Sequence, residues 1–163
     1  TRFRVWLPRA ERESEPVDQD AVQRVRTNFG GLDTGVDATL TVLYAEDNAI
    51  NVELLRQVMR MRPQWHLEIA RDGHTAIAMA RAEPPDLLLL DMHLGDMSGL
   101  DVSDALMMDA NTAMIPRVAL SADVMPDQIS EARQRGFIEY LTKPLDVSRL
   151  LNLLDCCARG EVP

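Results

Sequence analysis

The chain has 163 residues, with 17 Lys+Arg against 26 Asp+Glu and a formal net charge of −9. Of the basic residues 16 are Arg and one, Lys143, is Lys. The length allows one ordinary domain plus a tail without a disulfide or metal staple, and the acidic balance argues against direct contact with nucleic acid or an anionic membrane.

In chain order, Phe3 to Leu7 alternates like a strand and ends at Pro8. Glu11 to Asp20 is charged and reads as linker, and residues 20–29 place Ala21, Val22, Val25 and Phe29 near one helical face. A regular alternation begins at Leu40. Strands are predicted at 40–44, 66–70, 87–90, 116–120 and 137–141, and helices at 51–61, 75–82, 100–108, 127–135 and 147–157. The first helix presents Leu54, Leu55, Val58 and Met59 on one side, Met107 and Met108 finish the third, and Leu87 to Leu90 reads as a strand covered on both faces. Five strands alternating with five helices imply right-handed crossovers and a doubly wound, five-stranded parallel sheet of the α/β class. Residues 1–38 carry a net charge of −1 and residues 39–163 one of −8, so the acidity belongs to the folded part.

Cys156 and Cys157 are adjacent, and two cysteines are too few for a secreted disulfide framework. They point to a reducing, cytoplasmic setting. No apolar run approaches the roughly 18 residues of a membrane span. The chain starts at Thr1, so a longer parent, anchored in a membrane or not, is the expectation.

The residues just past the strands carry the chemistry. In a parallel sheet, ligands bind at the carboxyl edge of the strands. Glu46 and Asp47 come after the first strand, Asp91 after the third, Ser121 after the fourth, and Lys143 with Pro144 after the fifth. Three carboxylates held close together raise at least one pKa unless a cation enters. Oxygen-only ligands suit Mg²⁺, and a carboxylate can act as a nucleophile toward phosphorus. A lone lysine where arginine is otherwise the rule suggests a need for a compact ammonium.

The segments Val42 to Asn48, Leu90 to Leu94, Ala119 to Ala122 and Tyr140 to Pro144 resemble, in order and spacing, the receiver domains of bacterial two-component response regulators, over residues 39–159. The resemblance implies a (βα)5 flavodoxin-like fold, with Asp91 as phosphoacceptor for a phosphohistidine and Mg²⁺ as cofactor. It implies metal contacts from Glu46 (mostly through water), Asp47, Asp91 and the His93 backbone carbonyl. It also implies a phosphate-binding Lys143 before a cis peptide bond to Pro144, a switch hydroxyl on Ser121 and an aromatic switch on Tyr140. Gly95 departs from the family's usual proline, and His74 replaces a commonly charged residue.

Arg2 to Pro8 resembles the last strand of a histidine-kinase ATP-binding domain, which implies residues 1–8 as the end of such a domain, 9–38 as linker and 160–163 as tail. The implied parent is a hybrid sensor histidine kinase, although the chain itself holds no kinase motif. Its partners would be a kinase domain or histidine phosphotransfer protein, with a homodimer through the fourth helix, fifth strand and fifth helix. The alternatives are a stand-alone receiver and a receiver-like interaction module that takes no phosphate. A haloacid dehalogenase-type phosphatase would want an acid where His93 stands, and a flavin site would want a Gly/Ser/Thr cradle where Glu46 and Asp47 stand. His66, His74 and His93 show no metal-ligand spacing.

Overall fold

The computed structural model describes residues 39–122 and 125–161. The expected strand at 1–8, linker at 9–38 and helix at 20–29 lie outside them. The elements are β1 (Leu40–Ala45), α1 (Ala49–Met59), β2 (Trp65–Ala70), α2 (Gly73–Ala82), β3 (Leu87–Asp91), α3 (Gly99–Met107), β4 (Arg117–Ser121), α4 (Pro126–Gln134), β5 (Phe137–Thr142) and α5 (Val147–Ala158). All five strands are parallel, in the order β2-β1-β3-β4-β5. This is the doubly wound sheet read from the alternation, with boundaries within two residues of expectation.

The period-two geometry of strands divides the core. Val42, Leu87, Leu89, Val118 and Leu120 face Val52, Leu55 and Val58 of α1 and Leu150 and Leu154 of α5. Leu43, Leu88, Leu90 and Ala119 face Ala76 and Ala80 of α2, Val102 and Leu106 of α3, and Ala132 of α4. Central strand β3 is buried at every position, as a strand covered on both faces must be. Each fully buried leucine contributes roughly 1.5–3 kcal/mol of hydrophobic transfer. Two packing expectations are corrected. Val52, not Leu54, completes the buried stripe of α1, because positions 52, 55 and 59 fall on one face at the helical period and 54 lies off it. Met108 is a C-cap, 89% exposed, and not part of α3.

Side-chain caps mark the starts of α1, α2, α3 and α5. Asn48 accepts from Ile50 N, Asp72 from Thr75 N, and Asp146 from Ser148 N and Arg149 N. Ser98 and Asp101 form a capping box on α3. Because Asn48 caps α1, Glu46 and Asp47 are left for other work. Among the described residues no helix is long and apolar enough to cross a membrane.

Candidate functional site

Parallel strands bring their carboxyl ends to one edge. Glu46 and Asp47 leave β1, Asp91 ends β3, Ser121 ends β4, and Lys143 leaves β5. The Lys143 N–H donates to the Ser121 carbonyl at 2.7 Å, which ties the last two together, and the Lys143–Pro144 bond is cis, as the resemblance implied.

One ligand oxygen from each of Glu46, Asp47 and Asp91 lies within 4.8 Å of the others. Glu46 and Asp91 are buried, and Asp47 is exposed. Lys143 Nζ bridges the buried pair, 2.7 Å from Glu46 Oε2 and 2.6 Å from Asp91 Oδ2. Asp91 Oδ1 accepts from the His93 N–H at 3.0 Å. Glu46 accepts three more hydrogen bonds: Tyr44 hydroxyl at 2.7 Å, Asn51 Nδ2 at 3.1 Å and Asn48 N at 3.2 Å.

The two buried carboxyls are pushed apart. Burial works against ionising Glu46, but the hydrogen bonds from Lys143, Tyr44 and Asn51 outweigh it and hold its carboxyl below the usual range. Burial pushes the Asp91 carboxyl above the usual range; the Lys143 and His93 donors oppose this, and the Glu46 charge adds to it. Like charges at close range cannot both be favoured. Tyr44 is pushed far up by burial and by the Glu46 charge beside it, so its hydroxyl stays a donor.

Three carboxylates against one ammonium leave two negative charges on a hard, oxygen-only donor set. That charge and that chemistry fit Mg²⁺, and the exposure of Asp47 leaves room for the waters this ion keeps. The loop after Asp91 is also built. His93 and Ser98 pair across it as an antiparallel bridge. Asp96 accepts from the Gly73 N–H at 2.8 Å, the His74 N–H at 3.0 Å and His74 Nδ1 at 2.6 Å. A Cβ at Gly99 would stand 2.7 Å from the Asp91 carbonyl, so α3 reaches β3 only with glycine at its start.

Sequence reasoning therefore placed Glu46, Asp47, Asp91, Ser121 and Lys143 on one edge. Tyr140 lies on β5, three residues before Lys143, buried in the core on the α2–α4 side. His66, His74 and His93 are exposed. Tyr44, Asn51 and Asp96 were missed. The readable signal for Tyr44 was its spacing: residues two apart on a strand share a face, which sets Tyr44 beside Glu46.

The family of response regulator receiver domains matches residues 42–155. The chain is 33% identical over 116 residues to the polar-differentiation response regulator DivK of Brucella ovis, covering 71% of this chain and 94% of that protein. It is 31% identical over 115 residues to the signal transduction histidine-protein kinase BarA of Escherichia coli, covering 71% of this chain but only 12% of BarA. A receiver domain of a Pseudomonas aeruginosa sensor histidine kinase, solved with magnesium coordinated in its active site cleft, superposes with a TM-score of 0.67 at 24% identity, covering 75% of this chain and 99% of that one.

Proposed function

This chain belongs to the response regulator receiver domain family, and we propose that it accepts a phosphoryl group from a phosphohistidine onto Asp91. The observation that carries the reading is Lys143 Nζ seated 2.6 Å from a buried Asp91 whose carboxyl is the last residue of the central strand. An Asp91 oxygen attacks phosphorus, the bond from phosphorus to the histidine nitrogen breaks, and an aspartyl phosphate forms. Such transfer needs little beyond positioning and charge neutralisation.

The residues divide that work. The His93 N–H orients one Asp91 oxygen. Lys143 leaves the carboxylates to hold a phosphoryl oxygen. Asp47 and Asp91, with the His93 carbonyl, would hold Mg²⁺, which supplies positive charge to the phosphoryl oxygens when bound. Ser121 would donate to another of those oxygens, and Tyr140 would follow it inward.

The new group brings a charge near −2. Its effect would reach the surface of α4, β5 and α5. Helix α4 suits a moving element: only Ala132 is buried along it and its N-cap makes no side-chain bond, whereas α5 buries five residues. A homodimer through that surface is the matching assembly. The similarity to a segment of BarA supports placement in a hybrid kinase, and the similarity to nearly all of DivK supports a stand-alone receiver. The coding sequence upstream of Thr1 separates them. The function itself is tested by incubating the chain with acetyl phosphate and Mg²⁺. Labelling is expected in the wild type and absent in Asp91→Asn or after chelation; full labelling of Asp91→Asn overturns the reading.

A further inference from the structure

Glu46 is crowded with donors. Its Oε1 accepts from Asn51 Nδ2 and Asn48 N, and its Oε2 from Lys143 Nζ and the Tyr44 hydroxyl. An ionised carboxylate offers about four lone-pair sites, so all are taken. The Tyr44 ring is 0% exposed and packed with Val42, Leu55 and Leu89 in the core on the α1/α5 side. Its hydroxyl cannot follow Glu46 if that side chain turns toward a cation. We infer that Tyr44 is a positioning residue of the phosphoacceptor site: its buried hydroxyl closes the last acceptor position of Glu46, reserving that carboxylate for Lys143 and leaving the divalent cation to Asp47 and Asp91.

This rests on the phosphoacceptor reading and deepens it. Phosphoryl transfer asks Lys143 to leave Glu46. A Glu46 oxygen already satisfied by Tyr44 releases the ammonium more readily than one that depends on it alone. The same hydroxyl limits how strongly Glu46 can attract the metal or its waters. Removing it therefore has two opposite effects, tighter cation binding and slower transfer. A loss of packing could slow transfer but would not tighten cation binding.

The test is calorimetric titration of the full chain with MgCl₂ alone, using Tyr44→Phe, which keeps the ring. The expected result is Mg²⁺ binding tighter by about tenfold, the low end of what one hydrogen bond to a charged group carries. The initial rate of acetyl phosphate labelling at saturating Mg²⁺ is expected to fall several-fold. In a Glu46→Gln background the Tyr44→Phe effect on Mg²⁺ should vanish, because the tyrosine acts through that carboxylate. Should Tyr44→Phe fold poorly, Asn51→Ala removes a donor from the other oxygen at a half-buried helical position and should tighten Mg²⁺ binding in the same direction. Unchanged or weaker Mg²⁺ binding, or an equal change in both backgrounds, overturns the inference. The titration contains no phosphodonor, so a failure of labelling with the Mg²⁺ response intact would count against the phosphoacceptor reading instead.

Discussion

At the carboxyl end of the sheet Lys143 sits between two carboxylates; at the amino end Arg117, the first residue of β4 and 2% exposed, sits among carbonyls. Arg117 Nη2 donates to the Thr112 and Ala113 carbonyls, and Nε has no partner. No carboxylate among the described residues lies within ion-pair distance of it. Burial alone pushes its guanidinium down. Gly136, at φ +84°, keeps the space beside it, since a Cβ there would stand 3.0 Å from Nη1. The contrast separates two uses of a cation, one buried and one partly buried. Carbonyl dipoles of a loop cannot leave, so Arg117 staples the segment between α3 and β4. Carboxylates compete with any anion that arrives, so Lys143 carries a charge that can be redirected. A planar fork suits the first task and a compact ammonium the second.

The comparison breaks most visibly at Arg117. Arg117→Ala should cost about 3–5 kcal/mol, from the cavity and the stranded carbonyls, measured by urea denaturation, while molecules that remain folded label normally. A cost below about 1 kcal/mol would make the arginine incidental. Lys143→Arg should do the reverse. Stability should stay within about 1 kcal/mol of wild type, because the charge remains, while the initial labelling rate falls about tenfold to a hundredfold. An unaffected rate would return the lone lysine to chance.

A third effect comes from the opposed carboxyls. Glu46 is held low, so its stabilisation is complete above the ordinary carboxylate range and drains away as pH falls through its lowered value. Asp91 is held high, so its ionisation costs the fold at neutral pH, and the cost is relieved as pH falls through the raised value. Without divalent cations, Asp91→Asn should therefore melt about 2–6 °C above wild type at pH 7. The gain should shrink as the pH is lowered through the raised value of Asp91; a lower melting temperature at pH 7 would contradict this linkage. The smallest effect belongs to the loop after β3. Asp96→Asn should weaken the ties to Gly73 and His74, seen as faster amide exchange at those two N–H groups with the melting temperature unmoved.

Much of this was legible in residue order. Alternating apolar segments predict the sheet, and the residues at the strand ends bring together Glu46, Asp47, Asp91, Ser121 and Lys143, because parallel strands share a carboxyl edge. Three things were not legible. Arg117 reads as a surface charge in sequence, since nothing local announces that the loop before it will turn carbonyls onto it. Tyr44 shares a strand face with Glu46 by its spacing, but the sequence does not show that Glu46 is buried, and only that depth makes the hydroxyl matter. Asp96 reads as a loop acid, because its partners Gly73 and His74 lie more than twenty residues earlier. Strand-end chemistry is set by local order, whereas who satisfies a buried charge is set by packing between distant segments.

Of the three clustered carboxylates, Asp91 is the proposed acceptor. After incubation with acetyl phosphate and Mg²⁺, borohydride reduction converts an aspartyl phosphate to homoserine, and peptide mass mapping reads its position. The prediction is homoserine at position 91 and intact aspartate at position 47. Modification of Asp47 with Asp91 untouched would contradict it.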